Sequence, residues 1–67
     1  MDFYLKDDFI KLGQLLKAAN LVDNGADAKF EVQSGKVMVN GQTETQRGKK
    51  IVKGDVVKYN GKEVTVK

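Results

Sequence analysis

The sequence predicts an α+β fold, two N-terminal helices packed on a small, mainly antiparallel sheet. Three observations lead there. Apolar residues recur at three- and four-residue intervals only in the first half of the chain, whereas the second half alternates with period two in short runs. Those runs are separated by turn formers, Asn40-Gly41, Lys53-Gly54-Asp55 and Asn60-Gly61. With 67 residues in all, residues 1–67 form a single domain with a thin core.

Asp2-Phe3-Tyr4-Leu5-Lys6 alternates, with Phe3 and Leu5 on one side, and predicts a short edge strand. Asp7 or Asp8 is the expected N-cap of a first helix over roughly residues 8–19. Its apolar stripe is Phe9, Leu12, Leu16 and Ala19, with Ile10 and Leu15 beside it and Lys11 and Lys17 outside it. Gly13, costly inside a helix, marks close approach of another backbone. Asn20 suits a left-handed residue ending the helix, with Leu21 and Val22 folding back. Asn24, with Asp27 three residues later, caps a second helix that runs to about Ser34 and ends at Gly35. Ala26 and Phe30 are its expected buried pair, and Lys29 and Gln33 its polar side, extended by Lys36.

Lys36 to Val39 then reads as a strand, Asn40-Gly41 as a hairpin turn, and Gln42 to Gln46 as a polar extended segment. Arg47-Gly48-Lys49-Lys50 is a basic loop before Ile51 and Val52. Asp55 follows Gly54 in a turn, where its carboxylate is expected to bond local backbone; Val56–Tyr59 and Glu63–Val66 complete the sheet as a hairpin through Asn60-Gly61. The expected core is Phe9, Leu12, Leu16, Phe30, Val37 and Val39, with Tyr4 the exposed aromatic.

Composition narrows the function. Cys, His, Trp and Pro are absent and Ser34 is the only serine, which removes disulfides, Cys/His zinc sites and Cys- or His-based nucleophile triads. No apolar run approaches a membrane span and no signal-peptide pattern opens the chain, so the expected location is the cytoplasm, with no membrane partner. Residues 1–35 carry a net charge of −2 and residues 36–67 a net +5, giving the overall +3 and a directional field suited to a polyanion.

The stretch from Leu21 to Val57 resembles the S4-like RNA-binding domain, a helix-helix-strand module of a ribosomal small-subunit protein, pseudouridine synthases and some tRNA synthetases. The resemblance lies in Leu21-Val22-x-Asn24-Gly25-x-x-Ala28-Lys29, Gly35-Lys36-Val37-Met38-Val39-Asn40-Gly41 and Lys53-Gly54-Asp55-Val56-Val57. Leu12-Gly13-Gln14-x-Leu16-Lys17 and Arg47-Gly48-Lys49-Lys50 extend it to roughly residues 3–59 and towards the small stand-alone bacterial members. It departs from them in Asn24-Gly25-Ala26, where Ser-Gly-Gly is usual, and in Gln46-Arg47 where paired arginines are usual. The resemblance implies an L-shaped pair of helices and a strand whose polar face meets structured RNA, commonly ribosomal RNA, in ribosome assembly or RNA metabolism. The family's basic positions fall on Lys29, Lys36, Arg47, Lys49 and Lys50.

Residue chemistry points the same way. A guanidinium forks onto phosphate while ammonium groups act as point charges, so Arg47 should position RNA and Lys49 and Lys50 attract it. Four or five such contacts give a slope of log affinity on log salt of about −3 to −4. Gln33, Asn40 and Gln42 both donate and accept, which suits 2′-hydroxyl or base-edge contacts. Catalysis is not expected: adjacent Asp7 and Asp8 point apart, and Gly41 to Gly48-Lys49-Lys50 lacks both the spacing and the hydroxyl of a P-loop. The chain is thus expected to be a monomeric, non-catalytic module without cofactor or metal, with RNA as its partner and ribosomal proteins as a second class of partner that the resemblance allows. The rival reading is a protein-docking module whose lysines serve solubility.

Overall fold

The computed structural model describes residues 1–67. Its elements are β1 (Asp2–Phe3), β2 (Ile10–Lys11), α1 (Leu12–Ala18), α2 (Gly25–Gln33), β3 (Val37–Val39), β4 (Gln42–Thr43), β5 (Lys50–Ile51), β6 (Val56–Tyr59) and β7 (Lys62–Val66). Five strands form one sheet in the order β1-β7-β6-β3-β4, antiparallel throughout except for parallel β1 and β7; β2 and β5 make a separate antiparallel ribbon. The α+β class and the edge position of the first strand are as expected. The placement of the helices at the N-terminus is not, because two strands precede them.

The sheet alternates cleanly. Val37, Val39, Val57, Val64 and Val66 point inward, and Met38, Lys58 and Glu63 lie on the exposed face. The inward valines meet Leu12, Leu15, Leu16, Ala28 and Val32 from the helices and Ile51 from the ribbon in one core. Two hairpins need positive φ at both turn residues: Asn40 and Gly41 have φ of 51° and 83°, and Asn60 and Gly61 have 52° and 77°.

Both helices end in the same way. At α1, Asn20 (φ 59°) donates its N–H to Lys17 O at 3.0 Å and Leu21 donates to Leu16 O at 2.9 Å. At α2, Gly35 (φ 78°) donates to Val32 O and Lys36 to Glu31 O. Each is the paired reverse bond of a Schellman ending. Asn24 caps α2 as the sequence indicates, its Oδ1 accepting from the Asp27 N–H at 2.9 Å.

The start of α1 differs from the expected one. Neither Asp7 nor Asp8 caps it: the helix begins at Leu12, its N-cap is Lys11, and no side chain caps it. Residues 10 and 11 are extended because Ile10 pairs with Ile51 and Lys11 with Lys50. The orphan amides are then met by main chain, Leu12 N–H donating to Lys49 O at 2.8 Å and Gly13 N–H to Arg47 O at 2.9 Å. Phe9 therefore lies before the helix and 39% exposed, outside the core assigned to it.

Phe30 also leaves the expected core, at 65% exposure. Ala26-Phe30 and Ala28-Val32 are both apolar pairs four residues apart, and it is the second that is buried. The reason is the helix crossing: a Cβ built on Gly13 would stand 3.9 Å from Ala28 Cβ, and such closeness admits only a small residue on α2.

Leu16 is fully buried between the helices and the sheet, so Leu16→Ala should cost about 2–5 kcal/mol. For so small a domain that is a drop of roughly 10 °C or more in thermal midpoint, measured by circular dichroism. Gly13 offers a sharper test of the loop contact. A methyl there would meet Arg47 Cβ at 3.4 Å and Arg47 O at 3.6 Å, ordinary contact distances. Gly13→Ala should thus change stability by no more than about 1 kcal/mol, whereas Gly13→Leu should push the Arg47 loop away and cost about 1–3 kcal/mol.

Candidate nucleic-acid interface

The two amide bonds at the start of α1 decide where the basic loop lies. Gln46 O accepts from Lys49 N–H at 3.1 Å, closing a turn over residues 46–49. The turn's carbonyls at Arg47 and Lys49 face inward to α1, and the Arg47, Lys49 and Lys50 side chains are left exposed.

Beside this turn lies a cleft of about 480 Å³ between α1, the first turn of α2 and the loop. Its cations are Lys11, Lys17 and Arg47, with Gln14 between them. Gly13, Gly25 and Gly48 give it bare walls. At Gly25 the Lys17 Nζ stands 4.0 Å from where a Cβ would be, so that ammonium sits against the N-terminal turn of α2. The helix end contributes the same sign of potential as the side chains.

None of these charges is neutralised within the chain. The three ion pairs are Lys36–Glu31 at 3.3 Å, Lys58–Glu63 at 3.5 Å and Lys67–Asp2 at 3.3 Å, all away from the cleft. Lys11 and Lys50 are moreover direct cross-strand partners. Like charges in that position oppose folding, and an anion seated between them removes the penalty. Lys50 is steadied by its Nζ lying 4.8 Å from the centre of the Phe9 ring.

The residues singled out from sequence divide into two groups. Arg47 lines the cleft, and Lys49 and Lys50 follow on the same turn and strand. Lys29 is exposed one turn beyond Gly25 on α2, and Gln33 one turn further, so both continue a row that starts at the cleft. Lys36 and Asn40 lie elsewhere. Lys36 pairs with Glu31, sits 5.7 Å from the Phe30 ring centre, and borders a hollow with Tyr59 and Asn60. There, burial and the neighbouring Glu31 carboxylate raise the Tyr59 phenol above its ordinary value of 10.0.

Asn40 belongs to the framework. Its Nδ2 donates to Asp55 Oδ1 at 3.0 Å and its Oδ1 accepts from Val56 N–H at 2.9 Å, while Asp55 Oδ2 accepts from Val52 N–H at 2.9 Å. Asp55 thus bonds local backbone as the sequence indicates. Gln42 is exposed on the outermost strand, β4.

Lys11, Gln14 and Lys17 were not among the residues expected at the site. The signal in the sequence was their exclusion from the apolar stripe. Their assembly with Arg47 depends on the β2–β5 pairing, which local pattern does not reveal.

Comparison with known proteins places the architecture in context. No curated protein matches the chain. Among solved structures, the solution structure of YbcJ from E. coli, described as revealing an ALFAL motif involved in RNA-binding, superposes with a TM-score of 0.74 at 38% identity. The match covers 97% of this chain and 84% of that one. A family model described as the S4 domain matches residues 3–67, and the chain accordingly belongs to the S4 domain family.

Proposed function

We propose that the protein binds structured RNA, without catalysing a reaction on it, through the cleft bounded by Lys11, Lys17 and Arg47. The observation that carries this reading is a glycine-walled, carboxylate-free cleft lined by Lys11, Lys17 and Arg47, in which Lys11 is also the cross-strand partner of Lys50. Phosphates seat among Lys11, Lys17 and Arg47, the guanidinium fixing orientation and the ammonium groups supplying attraction. Lys29, Lys49 and Lys50 flank that seat, and Gln33 lies at the end of the α2 row, where an amide can reach a 2′-hydroxyl. Lys36 and Asn40, already engaged by Glu31 and Asp55, contribute at the edge or through the framework.

A surface of this kind reads shape. An A-form duplex hides its base edges in a deep, narrow groove, so a rigid basic face on a molecule of 26 × 22 × 18 Å reaches phosphates, 2′-hydroxyls and exposed loops. Folded ribosomal RNA is rich in such features, and the proposed setting is ribosome assembly or RNA metabolism in the cytoplasm, with ribosomal proteins nearby and the chain acting as a monomer. The RNA-binding description of YbcJ, at 38% identity over nearly the whole chain, supports the same reading.

Fluorescence anisotropy with a structured ribosomal RNA hairpin, titrated at two salt concentrations, tests it. Affinity should fall steeply with salt, and Arg47→Ala should weaken binding by about 1–2 kcal/mol without altering the melt. Affinity that is absent or indifferent to salt would sink the proposal and favour protein docking. Lys11→Glu should do two opposite things: weaken RNA binding and raise fold stability by about 0.2–1 kcal/mol, because it turns a like-charge pair into an opposite one. Lys58→Ala, at a lysine already paired with Glu63 on the other face, should leave affinity and salt slope unchanged.

A further inference from the structure

Next to the cleft runs a second, larger hollow of about 740 Å³, walled by Phe3, Tyr4, Leu5, Phe9 and Ile10. Gln14 and Lys17 belong to both, forming the sill between them. We infer that this groove receives one unpaired nucleobase of the bound RNA, stacked on the Tyr4 ring; the inference rests on the RNA-binding reading above.

Four features carry it. Tyr4 is 71% exposed although it has a large apolar ring, and nothing in the chain covers it. Phe9, the other exposed ring in this groove, already has the Lys50 ammonium 4.8 Å from its centre, so Tyr4 is the open face. A strand whose phosphate rests on Lys17 has to cross only the sill to bring its base over Tyr4, and Gln14 on that sill can pair with a base edge. Finally, the rim carries Lys6 and Lys17 but also Asp7, a carboxylate that repels phosphate and accepts a bond from an exocyclic amine, which suits the base end of a nucleotide.

Bases in a duplex cannot make this contact, so the groove selects RNA with a bulged or looped-out nucleotide beside a helical segment. A second copy of the chain is a poorer occupant, since a two-fold contact brings the same rim cations, Lys6 and Lys17, together from both sides.

The test uses an RNA hairpin carrying one bulged 2-aminopurine and the same hairpin fully paired. Wild-type protein should bind the bulged form about tenfold more tightly and change the 2-aminopurine fluorescence. Tyr4→Ala and Tyr4→Leu should lose both the preference and the fluorescence change while holding the paired hairpin as wild type does; Tyr4→Phe should keep both. Equal wild-type affinity for the two hairpins, or a Tyr4→Ala loss that is the same for both, overturns the inference and leaves the cleft standing. Failure of wild type to bind either hairpin overturns the cleft and the groove together. Sedimentation showing a dimer that Tyr4→Ala dissolves would give the groove to a second copy and likewise overturn the inference.

Discussion

Two main-chain hydrogen bonds, from Leu12 and Gly13 amides to the carbonyls of Lys49 and Arg47, connect the parts of this molecule that chemistry requires to be adjacent. A helix start leaves donors that must find acceptors, and here the acceptors come from a loop more than thirty residues away in sequence, not from a neighbouring side chain. The loop consequently cannot drift, although its side chains are solvated. Gly13 makes the arrangement feasible by letting Arg47 and Ala28 close on the same turn of α1 from two sides. One small residue therefore sets both the helix crossing and how closely the Arg47 main chain approaches α1.

The charge distribution follows from that geometry. Three lysines away from the cleft have a carboxylate partner: Glu31 for Lys36, Glu63 for Lys58, Asp2 for Lys67. Around the α1–loop junction the partners are missing, and the register sets Lys11 against Lys50. Surface ion pairs are individually weak, so their presence elsewhere adds little stability. Their absence around the junction matters more, because there it leaves the field of several converging cations to act on an incoming anion.

Much of the fold was legible because local signals and tertiary demands agree. Asn20, Asn24, Gly35 and the two Asn-Gly turns each perform the task that their residue types favour, and the alternating valines face the core as their period requires. The disagreements share one origin. Asp7 and Asp8 were good capping residues, and Phe9 kept the helical spacing, yet a two-residue strand pairing over a long sequence separation converted that stretch to extended chain. Phe30 had the more hydrophobic pattern, but the tight crossing favoured Ala28. For the site, Arg47 and its neighbours were visible as a basic run, whereas Lys11 and Lys17 looked like ordinary solvated helix residues until the ribbon joined them to it. Asn40 illustrates the converse: a polar residue at a turn whose amide group bonds Asp55 through its nitrogen and Val56 through its oxygen.

The parallel pairing of β1 with β7 joins the earliest-made strand to the last one, reinforced by Leu5 N–H donating to Lys67 O and Lys67 N–H to Phe3 O, both at 2.8 Å. Closing so long a loop carries an entropy cost that is recovered only when the far segment arrives. β1 has no strand to pair with until β7 is in place, so that edge of the sheet is completed only when residues 62–66 reach it. The aromatic segment around Tyr4 accordingly takes its place late, once β7 flanks β1 and Leu5 has entered the core.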